Sequence, residues 1–236
     1  MPYVSYEWTQ KAFIILLYYY FCNTCSYLFD LLSKNTRHVN IFQFKILETL
    51  DISKNRLENI PDLRQLKSLK FLNASNNKIT IMPFLPIHGK LDRIYFGENS
   101  LREICMTSVL NSAESITEFL IQGNQLTECP DNIYLLRNLK VLDLSNNCLT
   151  NLPPSLGYMT SLQKILLEGN SIRTIKRTLL SSPVAEELKT FLRTRGPPPK
   201  SEKVRIENHY SSWCYHTYLK NILLNIMQIL EFWYFW

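Results

Sequence analysis

Six stretches of this chain share one order of apolar and polar positions, LxxLxLxxNxL. They are LETLDISKNRL (47–57), LKFLNASNNKI (69–79), LDRIYFGENSL (91–101), ITEFLIQGNQL (116–126), LKVLDLSNNCL (139–149) and LQKILLEGNSI (162–172). Their asparagines, Asn55, Asn77, Asn99, Asn124, Asn147 and Asn170, recur at gaps of 22, 22, 25, 23 and 23 residues. The fourth and sixth positions of each frame are apolar and two apart, so they share one face of a short strand. The third and fifth positions fall on the opposite face. The pattern predicts strands centred near 48–52, 70–74, 92–96, 117–121, 140–144 and 163–167. One such unit cannot bury its apolar face alone, but stacked neighbours can. Each asparagine has an acceptor oxygen and two N–H donors on a short side chain. Where the chain turns out of the strand, those groups suit backbone atoms that a curved turn would leave unpaired.

Between the frames the pattern is looser. Pro61, Pro83, Pro130 and Pro153 follow the second half of the frame, where a fixed φ suits the chain leaving the turn. Residues 62–68 and 154–161 read as short helical or 3₁₀ turns on the convex side, and 106–115 as a helical insert. After the last frame, Ser182-Pro183 offers an N-cap and a first-turn proline. Val184, Leu188, Phe191 and Leu192 then share a helical face, and Gly196 with Pro197–Pro199 ends it. That helix is expected to cover the open end of the stack.

The repeated frame resembles the leucine-rich-repeat family. The resemblance implies an α/β fold: a right-handed, horseshoe-shaped solenoid of about six repeats, with a parallel concave sheet, an inner ladder of asparagines and a C-terminal capping helix. It also implies a non-enzymatic interaction module. The expected organisation is an aromatic, apolar N-terminal segment (1–44), the solenoid (45–177), the capping helix (178–196), and a basic, proline-containing linker with an aromatic tail (197–236).

Charge sharpens this division. Residues 45–172 carry 13 Lys/Arg and 13 Asp/Glu, so the solenoid is neutral. The chain's net +6 resides in residues 173–205, with nine basic and three acidic side chains. Arg173, Lys176, Arg177, Lys189, Arg193, Arg195, Lys200, Lys203 and Arg205 form this block. Phosphate binding there would be non-specific, because Phe191, the only aromatic of the block, lies on the apolar helix face. The preferred reading is structural, with cations near the helix C-terminus favouring its dipole.

The ends differ in composition from the middle. Residues 1–44 hold 12 of the 29 aromatics and residues 208–236 hold nine. Both ends are rich in residues with A/T-rich codons and read equally as translated non-coding sequence, which would make this a truncated or mis-spliced form. The apolar run 12–29 supports an alternative function, a membrane-tethered repeat protein, although a span needs roughly 20 apolar residues. Cys22, Cys25, Cys105, Cys129, Cys148 and Cys214 form no cluster at either end of the repeats and read as reduced thiols. They favour an intracellular, cytoplasmic or nuclear setting. The sequon Asn73-Ala74-Ser75 lies inside a strand frame and argues little for secretion.

No phosphate-binding loop, nucleophile elbow or metal-helix motif occurs, so neither an enzyme, a cofactor, a metal nor a small-molecule substrate is expected. The expected function is a scaffold for another, unidentified protein. The third and fifth frame positions supply the candidate protein-binding residues Phe71, Arg93, Tyr95, Glu118, Leu120, Asp143 and Leu166. Aromatic and Arg side chains are frequent interface anchors.

Overall fold

The computed structural model describes residues 24–25, 46–87, 89–181 and 185–199. Seven parallel strands lie in chain order in one sheet. They are β1 (Thr24–Cys25), β2 (Thr49–Asp51), β3 (Phe71–Asn73), β4 (Arg93–Tyr95), β5 (Glu118–Leu120), β6 (Val141–Asp143) and β7 (Lys164–Leu166). The last six coincide with the third to fifth positions of the six frames. Their register keeps those positions aligned, as in Phe71↔Arg93↔Glu118↔Val141↔Lys164. The middle residue of each of these strands, Leu50, Leu72, Ile94, Phe119, Leu142 or Ile165, is buried. Its neighbours on either side stay partly open. Burial of the first, fourth and sixth frame positions in every repeat makes one continuous core.

β1 was not expected, since residues 1–44 lack the frame. It pairs Thr24 with Thr49 and Cys25 with Leu50. This strand falls inside the apolar run 12–29. The rest of that run and the tail 208–236 lie outside the described residues. Among the described residues no helix is long and apolar enough to cross a membrane.

The turn out of each strand is the same device six times over. The residue before each ladder asparagine has positive φ: Lys54 56°, Asn76 58°, Glu98 55°, Gly123 64°, Asn146 51° and Gly169 73°. This left-handed residue reverses the chain and brings the next side chain inward. Asn77, Asn99, Asn124, Asn147 and Asn170 then accept, through Oδ1, the N–H of Leu57, Ile79, Leu101, Leu126 and Leu149 in the preceding repeat, at 2.9–3.1 Å. Their Nδ2 groups donate both within and between repeats. Asn124 Nδ2, for example, donates to Ile121 O and to Phe96 O, each at 3.0 Å. The side chain thus supplies the partners that a tight, buried turn denies its backbone.

The convex side is less regular. Residues 62–68 form turns rather than a helix. Leu63 and Leu66 are fully buried, with Leu66 N–H donating to Leu63 O at 2.9 Å, so the segment is closed by single turns. Asp131–Leu135 and Pro154–Tyr158 are 3₁₀ helices, each entered from an extended proline. The insert after β4 is helical, with α1 (Met106–Val109) continuing into a 3₁₀ turn over Leu110–Ser112. Ser108 and Ser112 are buried there and fasten the insert to the preceding repeat, donating to Pro83 O and Pro86 O.

The C-terminal end is covered by α2 (Arg177–Leu180) and α3 (Ala185–Arg193). The proposed N-cap Ser182-Pro183 and Val184 lie outside the described residues. The buried face of α3 is Ala185, Leu188, Lys189 and Leu192, and Phe191 is only half-buried. The expected face is therefore displaced and includes a lysine. Lys189 Nζ donates to Leu162 O at 3.0 Å and meets Glu186 Oε2 at 2.8 Å. Arg193 Nε donates to Gly157 O at 2.7 Å, and Arg195 stacks over Phe191 at 5.7 Å. Lys189 and Arg193 thus hold the cap down rather than forming part of a free phosphate-binding block. Lys200, Lys203 and Arg205 lie outside the described residues. Gly157 makes this packing possible: a Cβ there would stand 2.8 Å from Lys189 O and 2.9 Å from Arg193 N.

Candidate functional site on the concave face

The open face of the sheet is built from frame positions three and five. At its centre the side chains of three adjacent strands touch. Phe71 and Tyr95 meet edge to face, with centroids 5.0 Å apart and planes at 81°. The Arg93 guanidinium lies over the Phe71 ring at 4.9 Å, its side chain 47 % exposed. Tyr95 Oη donates to Glu118 Oε2 at 2.5 Å. Register explains the assembly. Phe71, Arg93 and Glu118 occupy one row across β3, β4 and β5, and Tyr95 stands in the next row of the middle strand.

Burial is the main cause that pushes the Tyr95 hydroxyl up to about 12, with the Glu118 carboxylate adding to it. Tyr95 therefore stays a neutral donor throughout the physiological range. Ring contacts of this kind fix side chains that would otherwise lose freedom on binding. Four of the seven expected site residues are thus in contact. Leu120 lies beside Tyr95 in the same row, and Asp143 and Leu166 continue that row. Asp143 differs from the rest because its carboxylate accepts the N–H of Ser145 at 3.0 Å and its hydroxyl at 2.6 Å. Asp51 and Asn73 are also tied in, Asn73 Nδ2 donating to Asp51 Oδ2 at 3.2 Å.

Frame position two, just before each strand, supplies charged partners. Lys70 pairs with Glu48 at 2.8 Å, and Asp92 Oδ1 lies 3.6 Å from Arg93 Nε. Lys140 and Lys164 are exposed in adjacent repeats, at positions two and three. Gln122 Oε1, just beyond Leu120, is buried and has no hydrogen-bond partner among the described residues. A separate open groove of about 580 Å³ lies off this face, between Thr127–Asp131 and Thr150–Pro154. Burial pushes the thiol of Cys129, which lines the groove, up to about 12, so that thiol is not a nucleophile. Among the described residues no group of three His, Cys, Asp or Glu side chains is placed to hold a metal ion.

Comparison with known proteins agrees with this geometry. The family description "Leucine Rich repeats (2 copies)" matches residues 47–86, and "Leucine rich repeat" matches residues 114–172. Oligodendrocyte-myelin glycoprotein of Homo sapiens is 31 % identical over 141 residues, covering 58 % of this chain and 31 % of that protein. The probable inactive serine/threonine-protein kinase roco10 of Dictyostelium discoideum is 31 % identical over 158 residues, covering 64 % of this chain and 6 % of that protein. Chaoptin of Drosophila melanogaster is 31 % identical over 144 residues, covering 56 % of this chain and 10 % of its own length. The chain spans under a third of each of these relatives. A solved leucine-rich-repeat protein of Leptospira interrogans aligns over 67 % of this chain and 44 % of that one, at 26 % identity and a TM-score of 0.49. The repeated frame, the parallel sheet, the asparagine ladder and both family matches agree that residues 47–86 and 114–172 are leucine-rich repeats.

Proposed function

We propose that the chain is a non-enzymatic scaffold that holds another protein on its concave face. Repeats of this family generally mediate binding between proteins, and a broad curved sheet offers an extended surface for it. The observation that carries the reading here is the cluster of Phe71, Arg93, Tyr95 and Glu118, held in place by ring stacking and a hydrogen bond on an open sheet face. Aromatic rings and an arginine fixed at the centre of a surface are the features that binding hot spots share. Cys105, Cys129 and Cys148, none of them in a disulfide among the described residues, support an intracellular setting for this role.

Part of the chain supports a narrower kinship. Residues 45–200 look like leucine-rich repeat-containing protein 40, through Gly97-Glu98-Asn99, the block Pro153–Gly157, Glu168-Gly169-Asn170 with Ile172–Ile175, and the closing helix from Leu188 to Arg195. The functional test is capture of cellular partners by the full chain and by a variant carrying Tyr95→Ala with Arg93→Ala. Loss of partners by a variant that still folds is the expected result. Partners retained in full would remove the patch as the site.

A further inference from the structure

Only one asparagine of this chain begins an Asn-x-Ser/Thr sequon: Asn73, in Asn73-Ala74-Ser75. The fold places it at the edge of the aromatic cluster. Asn73 ends β3 at frame position five, so it stands on the open face and is partly exposed. In register it lies opposite Tyr95 of β4, and Phe71 precedes it by two residues on its own strand. Neighbouring strands run about 4.8 Å apart, and residues two apart on one strand are separated by about 6.6 Å. Both rings are therefore close neighbours of the Asn73 side chain.

The contacts of Asn73 are compatible with a substituent on its amide. Oδ1 accepts the Ser75 N–H at 3.1 Å, and Nδ2 donates to Asp51 Oδ2 at 3.2 Å. Attachment at Nδ2 keeps the carbonyl oxygen and one of the two N–H groups, enough for both contacts. The ladder asparagines differ: Asn77 Nδ2 donates to Ile52 O, Ala74 O and Ser75 O, and a substituent there would break the turn. We propose that Asn73 is an N-glycan acceptor and that a glycan there closes the concave site while leaving the fold intact. In the reaction Nδ2 attacks C1 of a lipid-linked oligosaccharide: the N–C1 bond forms, the C1–O bond breaks, the lipid pyrophosphate leaves and one Nδ2 proton is lost. The bulky, hydrated sugar then stands over Phe71 and Tyr95, where a partner's surface has to pack. The site is open only in a chain that has not met the glycosylation machinery, so location regulates binding. The inference rests on the concave-face reading and adds its regulation.

The test sends the full chain, behind a cleavable signal peptide, through the secretory pathway of cultured cells. Ser75→Ala by the same route is the control, since it removes the sequon and keeps Asn73. The probe is a single-domain antibody selected on chain made in the cytosol, whose binding is lost on Tyr95→Ala with Arg93→Ala. The secreted chain should carry an N-glycan mapped to Asn73 by peptide mass spectrometry, and Ser75→Ala none. The glycosylated chain should bind the antibody about tenfold or more weakly than Ser75→Ala does, with an equal urea midpoint. An unmodified Asn73, equal antibody binding, or a midpoint lowered by the glycan would overturn the inference. The two readings fail separately. Full capture of cellular partners by cytosolic Tyr95→Ala with Arg93→Ala removes the concave site, and the regulation with it. Capture that those changes abolish but the glycosylated chain retains removes the regulation alone.

Discussion

The inner turns and the concave face of this solenoid come from the same six frames and obey opposite rules. In the turns each repeat does the same thing. A residue with positive φ precedes an asparagine, whose side chain closes hydrogen bonds within its own repeat and, from Asn77 to Asn170, to the preceding repeat as well. On the concave face the repeats diverge: the third position is Thr49, Phe71, Arg93, Glu118, Val141 and Lys164 in turn. Buried turn groups must be paired in every repeat or the stack loses several kcal/mol, so the chain repeats itself there. Exposed strand positions carry no such demand. Variation among them is free to form a surface, and at β3–β5 it forms a stacked, hydrogen-bonded cluster.

The comparison can be broken most forcefully in the core. Leu142 is fully buried at the fourth position while its neighbour Val141 is partly open. Leu142→Ala should cost about 2–5 kcal/mol by urea denaturation, and Val141→Ala under about 1 kcal/mol. Equal losses would mean that the two faces are not distinguished by burial. The ladder comes next. Asn124→Ala would orphan Leu101 N–H and remove donors to Phe96 O, Ile121 O and Gln122 O. An unpaired buried group costs about 1–3 kcal/mol, and the loss should appear as a lower unfolding midpoint.

The cap gives an effect of similar size but local reach. Gly157→Ala would place a methyl group 2.8 Å from Lys189 O, backbone that cannot swing aside. The expected cost is about 1–3 kcal/mol, with faster amide exchange in 185–193 and unchanged exchange in β3–β5. A uniform loss of protection would show that the cap and the sheet unfold as one unit. The smallest effect is a pH dependence of the same cap. Hydrogen bonding from Lys189, then its charge and that of Arg193, holds the exposed Glu186 carboxyl below its ordinary 4.5. A lowered pKa stabilises the fold above the unfolded value, so the contribution is complete above about 4.5 and fades as pH falls through the folded value. Glu186→Gln should flatten that acid limb of the midpoint-against-pH curve and leave the neutral limb nearly unchanged.

Most of the architecture was legible because it is periodic. Alternation at positions three to six located β2–β7, and the asparagine spacing located the ladder. What escaped was not periodic. β1 has no frame around it, so only its pairing with Thr49 and Leu50 reveals it. Ser108 and Ser112 look like ordinary polar residues of a helix, and their burial depends on the preceding repeat. Lys189 reads as surface charge by composition. Its spacing from Ala185, Leu188 and Leu192 places it on the buried helix face, a signal that a charge count overlooks. The concave cluster was legible as a list of exposed residues. The stacking of Phe71 with Tyr95 and Arg93, and the bond from Tyr95 to Glu118, needed the register.

The central claim is that the fold resides in the repeated positions and binding in the varied ones. Its most direct test measures both properties on one sample, the full chain carrying Tyr95→Ala with Arg93→Ala. The account predicts that captured partners fall by about tenfold or more while the urea midpoint moves by the equivalent of about 1 kcal/mol or less. Undiminished capture, or capture that falls only as far as the folded fraction falls, would contradict it.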